Sequence, residues 1–251
     1  MQISKLLDQV EANAIVLPEF QREFVWKDSQ AKELMDSLVH EYPIGGLLVW
    51  STNNPPEIKN DAIDEEKQAL FEVLLDGQQR LTVLYMLIKD DYPPYYSPAE
   101  IKNDPRDLYF NVRSGGFHFE NKGTREGKEW VKVTEVFTGE VTPISIAERN
   151  AENSGDFGEL AKKYEQHLSQ LKKIETLDIP LETLPKSADV HEAIELFDKI
   201  NSQGTHLSDA ELALAHMSAQ WPHIRRRMKE KQAELAERGF EFNLNFYVIR
   251  L

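Results

Sequence analysis

Apolar residues recur along this chain with two different periods, and each change of period marks an element. Ile3, Leu6, Leu7 and Val10 share one helical face, with Ser4 placed to cap it, so the chain is expected to open on a short helix. Ala14-Ile15-Val16-Leu17-Pro18 then reads as a strand ended by its proline. Ala31, Leu34, Met35, Leu38 and Val39 form a second helical face, capped by Asp28 or Ser29 and broken at Tyr42-Pro43-Ile44-Gly45-Gly46. Leu47-Leu48-Val49-Trp50 is an unbroken apolar run, the pattern of a buried strand, and polar Ser51 to Lys67 is expected as an exposed loop. Phe71 to Leu75 is the next buried strand, after which Leu81, Leu84, Tyr85 and Ile88 return to helical spacing.

Asp90 to Arg106 is rich in proline and tyrosine and predicts a long connection. Leu108 to Val112 and Gly116 to Phe119, joined by Arg113-Ser114-Gly115, predict a β-hairpin, with His118 structural or exposed. From Trp130 the pattern is mainly helical: Phe157 to Ile174 is amphipathic, and Glu148 to Asp156 is the candidate subdomain boundary. Leu177 to Leu184 alternates around a proline, as an edge strand does. Ala193, Ile194, Phe197 and Ile200 make a helical face that runs into Asn201-Ser202-Gln203-Gly204-Thr205, and Ser208 or Asp209 caps a further helix, Glu211 to Ala219. The basic run Arg225 to Lys231 reads as a solvated helix face, or as a phosphate contact. The apolar end, Phe240 to Leu251, is expected to pack on a partner or to continue into further chain. The fold class is therefore α+β, a small mixed sheet with flanking helices in residues 1–150 and a mainly helical part in 151–251.

Composition narrows the partners. A formal net charge of -14 excludes a surface built wholesale to neutralise nucleic-acid phosphates, so any such contact is local. With no cysteine, disulfides and thiolate metal sites are absent, which suits a cytoplasmic setting. No signal-peptide core and no run of roughly 18 apolar residues occurs, so no membrane partner is expected.

The chemistry concentrates where the periods change. Asp76-Gly77-Gln78-Gln79-Arg80 falls at a strand-to-helix turn, where the free N–H groups of a first helical turn suit an anion. Arg80 adds a forked cation, Asp76 a ligand for metal or water, and the two glutamines neutral hydrogen-bonding arms. A capped helix start with an arginine ion pair is the plainer alternative. Phe20-Gln21-Arg22-Glu23-Phe24-Val25-Trp26 mixes aromatics with an amide and a guanidinium, which serves either core filling or a stacked ring with a charged group. Lys122 to Glu129 is not a P-loop, because three residues separate Gly123 from Gly127 and Glu129 follows Lys128. Serine-elbow, cysteine-nucleophile, dinucleotide and His-Glu-x-x-His patterns are absent. Amide, guanidinium and carboxylate remain, a set suited to positioning and offsetting charge in phosphoryl transfer.

Leu17 to Trp26, Tyr42 to Trp50, Leu75 to Thr82 and Phe197 to Ser208 resemble, in order, the signatures of the GmrSD-type N-terminal domain family. The resemblance implies a ParB/sulfiredoxin-like core and a nucleoside-triphosphate pocket in modification-dependent restriction or anti-phage proteins. By it, Gln21, Arg22, Trp26, Gly77, Asn201, Gly204 and Thr205 would bind nucleotide, with Trp26 near the base. Asp76, Gln78, Gln79 and Arg80 would be catalytic: Asp76 on Mg²⁺, Arg80 with Arg22 on phosphates, and Gln78 or Gln79 on the attacking water. Implied partners are an NTP, modified DNA and a nuclease module, and a homo-oligomer is compatible. The His-Asn-His nuclease arrangement of many members is missing after Leu207, where only His216 and His223 occur, so nuclease activity is not expected from this chain alone. A non-hydrolysing DNA-binding or interaction module is the alternative.

Overall fold

A computed structural model describes residues 1–59, 70–151, 157–201, 213–214, 216–217, 221 and 223–240. It is α+β, as the periodicity implies. The chain opens on α1 (Ile3–Glu11), whose buried Ile3, Leu6, Leu7 and Val10 are the predicted face. Its N-cap is Gln2 rather than Ser4, which sits inside the first turn. β1 (Ile15–Val16) leads through an irregular stretch to α2 (Asp28–Val39), whose N-cap is Lys27, one residue ahead of the expected Asp28, with Gln30 Oε1 accepting from the Lys27 N–H at 3.1 Å. β2 (Leu47–Thr52), β3 (Phe71–Asp76) and α3 (Gln78–Lys89) follow.

These strands form one mixed sheet in the order β1-β3-β2-β7, where β7 (Leu181–Leu184) is the predicted edge strand. β1 runs parallel to β3, β2 antiparallel to β3, and β7 parallel to β2. Both faces are covered, which explains the unbroken apolar run of β2. Leu47, Val49, Leu74 and Ile15 enter the main core with α1, α2 and α3. Leu48, Trp50, Val73, Leu75 and Val16 face a second cluster made by Phe20 and by Ala193, Ile194 and Phe197 of α8 (Val190–Asn201).

A second sheet joins β4 (Leu108–Asn111) to β5 (Phe117–Phe119) as the predicted hairpin, with an exposed His118. It also takes β6 (Trp130–Lys132), a strand where helix was expected. The run Lys122 to Glu129, which is not a P-loop, contains α4 (Lys122–Glu126), because Asn121 accepts from the Thr124 N–H at 3.0 Å and supplies a cap. Then come α5 (Val133–Thr138), α6 (Pro143–Asn150), α7 (Phe157–Lys173) and, near the end, α9 (Ile224–Glu237). Tyr164, Leu168 and Leu171 of α7 lie in the same cluster as α1 to α3.

The segment expected as an exposed loop from Ser51 differs most. Ser51 and Thr52 are buried in β2, where Ser51 Oγ donates to Glu72, and Lys59 is 2% exposed. The loop 202–210, most of the helix expected over 211–219 and the apolar end 241–251 lie outside the described residues.

Candidate functional site

The turn between β3 and α3 is built as the sequence suggests, and its geometry assigns each polar arm. Gly77 has φ 93°, and a Cβ there would stand 2.0 Å from Leu47 Cδ2, so this turn requires glycine. No side chain caps α3. Arg80 folds back from the first turn: Nη1 donates to Ile44 O at 2.8 Å, and Nη2 to Gly46 O at 2.7 Å and Asp76 Oδ2 at 3.1 Å. Gly45, at φ 80°, clears the guanidinium, since its Cβ would lie 2.8 Å from Nη1. The Tyr42–Gly46 break in the apolar pattern is therefore a collar around Arg80.

The amides join the first polar stretch to this turn. Gln79 Oε1 accepts from Val25 N–H at 2.9 Å and Trp26 N–H at 3.1 Å, and Nε2 donates to Glu23 O at 3.1 Å. Gln78 Nε2 donates to Arg22 O at 2.6 Å and also meets the Tyr96 hydroxyl. Gln21 Nε2 donates to Leu75 O at 2.8 Å and Leu74 O at 3.3 Å. All three residues are buried, and an unpaired amide there would be costly, so these bonds fix the approach of Gln21 to Trp26. Among the described residues the Arg22 guanidinium, Asp76 Oδ1 and Gln78 Oε1 stay uncommitted, and so does the buried Arg80 Nε.

Trp26 packs against the main core, and its carbonyl accepts from Asn103 Nδ2 at 3.1 Å. A cleft of about 490 Å³ opens beside it between Phe24-Val25 and Ala99-Asn103. Phe197 of α8 meets Phe20 edge to face at 5.4 Å between centroids, which packs α8 against the start of the first polar stretch. Asn201 ends α8, but its side chain, Gly204 and Thr205 lie outside the described residues. No cluster of three His, Asp or Glu suited to a metal occurs among the described residues. In the basic run, Arg226 donates to Glu57 at 2.6 Å, and Glu57 also accepts from the His223 N–H.

Three residues of this network carried no signal in the sequence. Lys59 sits in a stretch that looked solvated, Glu23 lies within the first polar stretch without an assigned role, and Tyr96 belongs to the proline-rich connection. Lys59 Nζ lies 3.1 Å from Glu23 Oε2 and 5.0 Å from the Tyr96 ring centroid. Burial, with Glu23 nearby, pushes the Tyr96 phenol well above its ordinary range, so it acts as a neutral donor.

An α+β domain whose amides clamp one extended segment across a strand-to-helix turn is the class defined here. The chain belongs to the family described as GmrSD restriction endonuclease, N-terminal domain, which it matches over residues 3–218. It is thus a domain of restriction-system type. It is also 35% identical over 122 residues to an uncharacterized protein of Methanocaldococcus jannaschii, a match covering 43% of this chain and 20% of that protein. The chain thus spans about a fifth of that curated relative. Among the described residues no helix is long and apolar enough to cross a membrane.

Proposed function

We propose that this chain is the Mg²⁺-dependent NTP-binding and NTP-hydrolysing domain of a modification-dependent restriction or anti-phage defence protein. The observation that carries the reading is selective commitment: buried amides hold the frame, while Arg22, Asp76 Oδ1, Gln78 Oε1 and the uncapped turn of α3 stay available. Arg22 and the first N–H groups of α3 take phosphate charge, a use that suits a helix start. Gln78 Oε1 is the acceptor for the attacking water, because both ends of Gln79 are engaged with backbone. Arg80 contributes through the Ile44–Gly46 collar and by orienting Asp76.

The Asp76 carboxylate fits Mg²⁺ of the kind that arrives with a triphosphate, where one or two protein carboxylates complete a shell of phosphate and water oxygens. Bound at Asp76, the ion would offset charge on the phosphate oxygens. Trp26 flanks the base, and Asn201, Gly204 and Thr205 are further nucleotide-binding residues of this reading. Modified DNA and a nuclease module are the partners this reading implies, in the cytoplasm.

One observation favours a second reading, a non-hydrolysing DNA-binding or interaction module: Gln21 and Gln79 direct their hydrogen bonds at backbone groups, and Arg80 spends its own on the Ile44 and Gly46 carbonyls and on Asp76. Calorimetry across the four NTPs with Mg²⁺, paired with phosphate release with and without modified DNA, separates the two. Arg22→Ala is expected to weaken NTP binding by about 10- to 100-fold, the loss of a charged hydrogen bond of about 1.5–3 kcal/mol. Binding without phosphate release selects the second reading, and no binding of any NTP overturns the first.

A further inference from the structure

We infer that Lys59 is a positioning residue of this site: its buried ammonium, with Glu23 and Tyr96, fixes the backbone from which the Arg22 side chain departs. The inference rests on the NTP-binding reading for its functional consequence, and on geometry alone for its structural one.

Lys59 is delivered by a short strap. Its own N–H donates to Leu17 O at 2.9 Å, Ile58 bridges Pro18, and Glu57 O accepts from Glu19 N–H at 2.7 Å. The strap thus runs alongside the residues that lead into the first polar stretch. From it the Lys59 side chain, 2% exposed, reaches inward, with Nζ 3.1 Å from Glu23 Oε2 and 3.5 Å from Arg22 O. The same Arg22 carbonyl receives the Gln78 amide at 2.6 Å and the Tyr96 hydroxyl at 3.2 Å. Three donors from three separate parts of the chain therefore converge on one backbone oxygen. Fixing that oxygen fixes the peptide plane after Arg22, and with it the direction available to a side chain that has no partner of its own among the described residues.

Stability alone is a weak explanation for this arrangement. Burying the Lys59 ammonium costs several kcal/mol, the Glu23 side chain that faces it is only partly buried, and apolar groups of similar volume are often as stable or more so. A charge pair also supplies what an apolar pair does not, a directed donor at the Arg22 carbonyl and a preference for one geometry. Of the polar groups around Arg22, Lys59 is the charged one that donates to its backbone.

The test is a thermodynamic cycle on the full chain. Lys59→Met alone takes the ammonium from the partly buried Glu23 carboxylate and risks destabilising the fold, so the working variant is Lys59→Met with Glu23→Gln. Its affinity for the Mg-NTP that wild type binds is measured in the wild-type and in the Arg22→Ala backgrounds. The expected result is a loss of about 10-fold in the first and less than 2-fold in the second, because Lys59 acts through Arg22. Unchanged affinity, or equal losses in both backgrounds, overturns the inference. Hydrogen exchange at the Val25 and Trp26 amides is the second readout and needs no nucleotide. Faster exchange in the double variant supports the inference even if wild type binds no NTP, and unchanged exchange counts against it whatever the NTP result.

Discussion

At Gly77 two independent constraints fall on one atom that is not there. The backbone is left-handed at φ 93°, and an added methyl would overlap Leu47 Cδ2 at 2.0 Å. Gly77→Ala is therefore expected to destabilise by roughly 2–4 kcal/mol, from backbone strain together with overpacking. A urea unfolding curve with an unchanged midpoint would contradict both constraints at once. Residue identity at this turn was legible, since glycine between a buried strand and a helix has few uses. The targets of Gln78, Gln79 and Arg80 were not. An amide announces that it will hydrogen-bond, but its partner here is backbone more than fifty positions away, and only the fold decides that. The same holds for Lys59, whose burial depends on a strap pairing with Leu17 and Pro18 that no local pattern encodes.

Elements with a strong apolar period matched their expected places: α1, α2, β2, β3, α3, the β4–β5 hairpin and α7 all follow from spacing. Short or cap-dependent ones did not, because β6 is three residues long and α4 exists by virtue of Asn121 and its cap. The connection between α3 and β4 shows how an irregular stretch is held without a period. Asp104 accepts from the Tyr92 hydroxyl at 3.0 Å and from Arg106 Nη2 at 2.6 Å, and Arg106 lies over the Tyr92 ring at 4.2 Å. Burial works to raise the Asp104 carboxyl, but the Arg106 hydrogen bonds outweigh it and hold it below its ordinary 3.8. A carboxylate with a lowered native pKa stabilises the fold fully above its unfolded value and loses that contribution as pH falls through the native one. The stability gap between wild type and Asp104→Asn is thus expected to be constant from pH 7 to 5 and to shrink below about pH 4. Denaturant midpoints taken across that range check it, and a gap that widens in acid would refute the assignment.

At the scale of the molecule, the sheet is shared between distant parts of the chain. β7 adds to β2, and α7 contributes Tyr164, Leu168 and Leu171 to the core that α1 to α3 begin. A chain ended at Asn150 is therefore expected to show no cooperative thermal transition by circular dichroism, whereas the full chain does. A sharp transition in the fragment would mean that residues 1–150 close a core of their own. This sharing was beyond the sequence, which marks apolar faces but not which of them meet. It also orders events during synthesis. Leu47 must wait for Leu181, roughly 130 residues and on the order of ten seconds of translation later, before that side of the sheet is paired. During that interval the most apolar strand of the nascent chain offers an open edge, the feature that recruits other chains. Yield of soluble protein should accordingly depend on how long β7 is delayed.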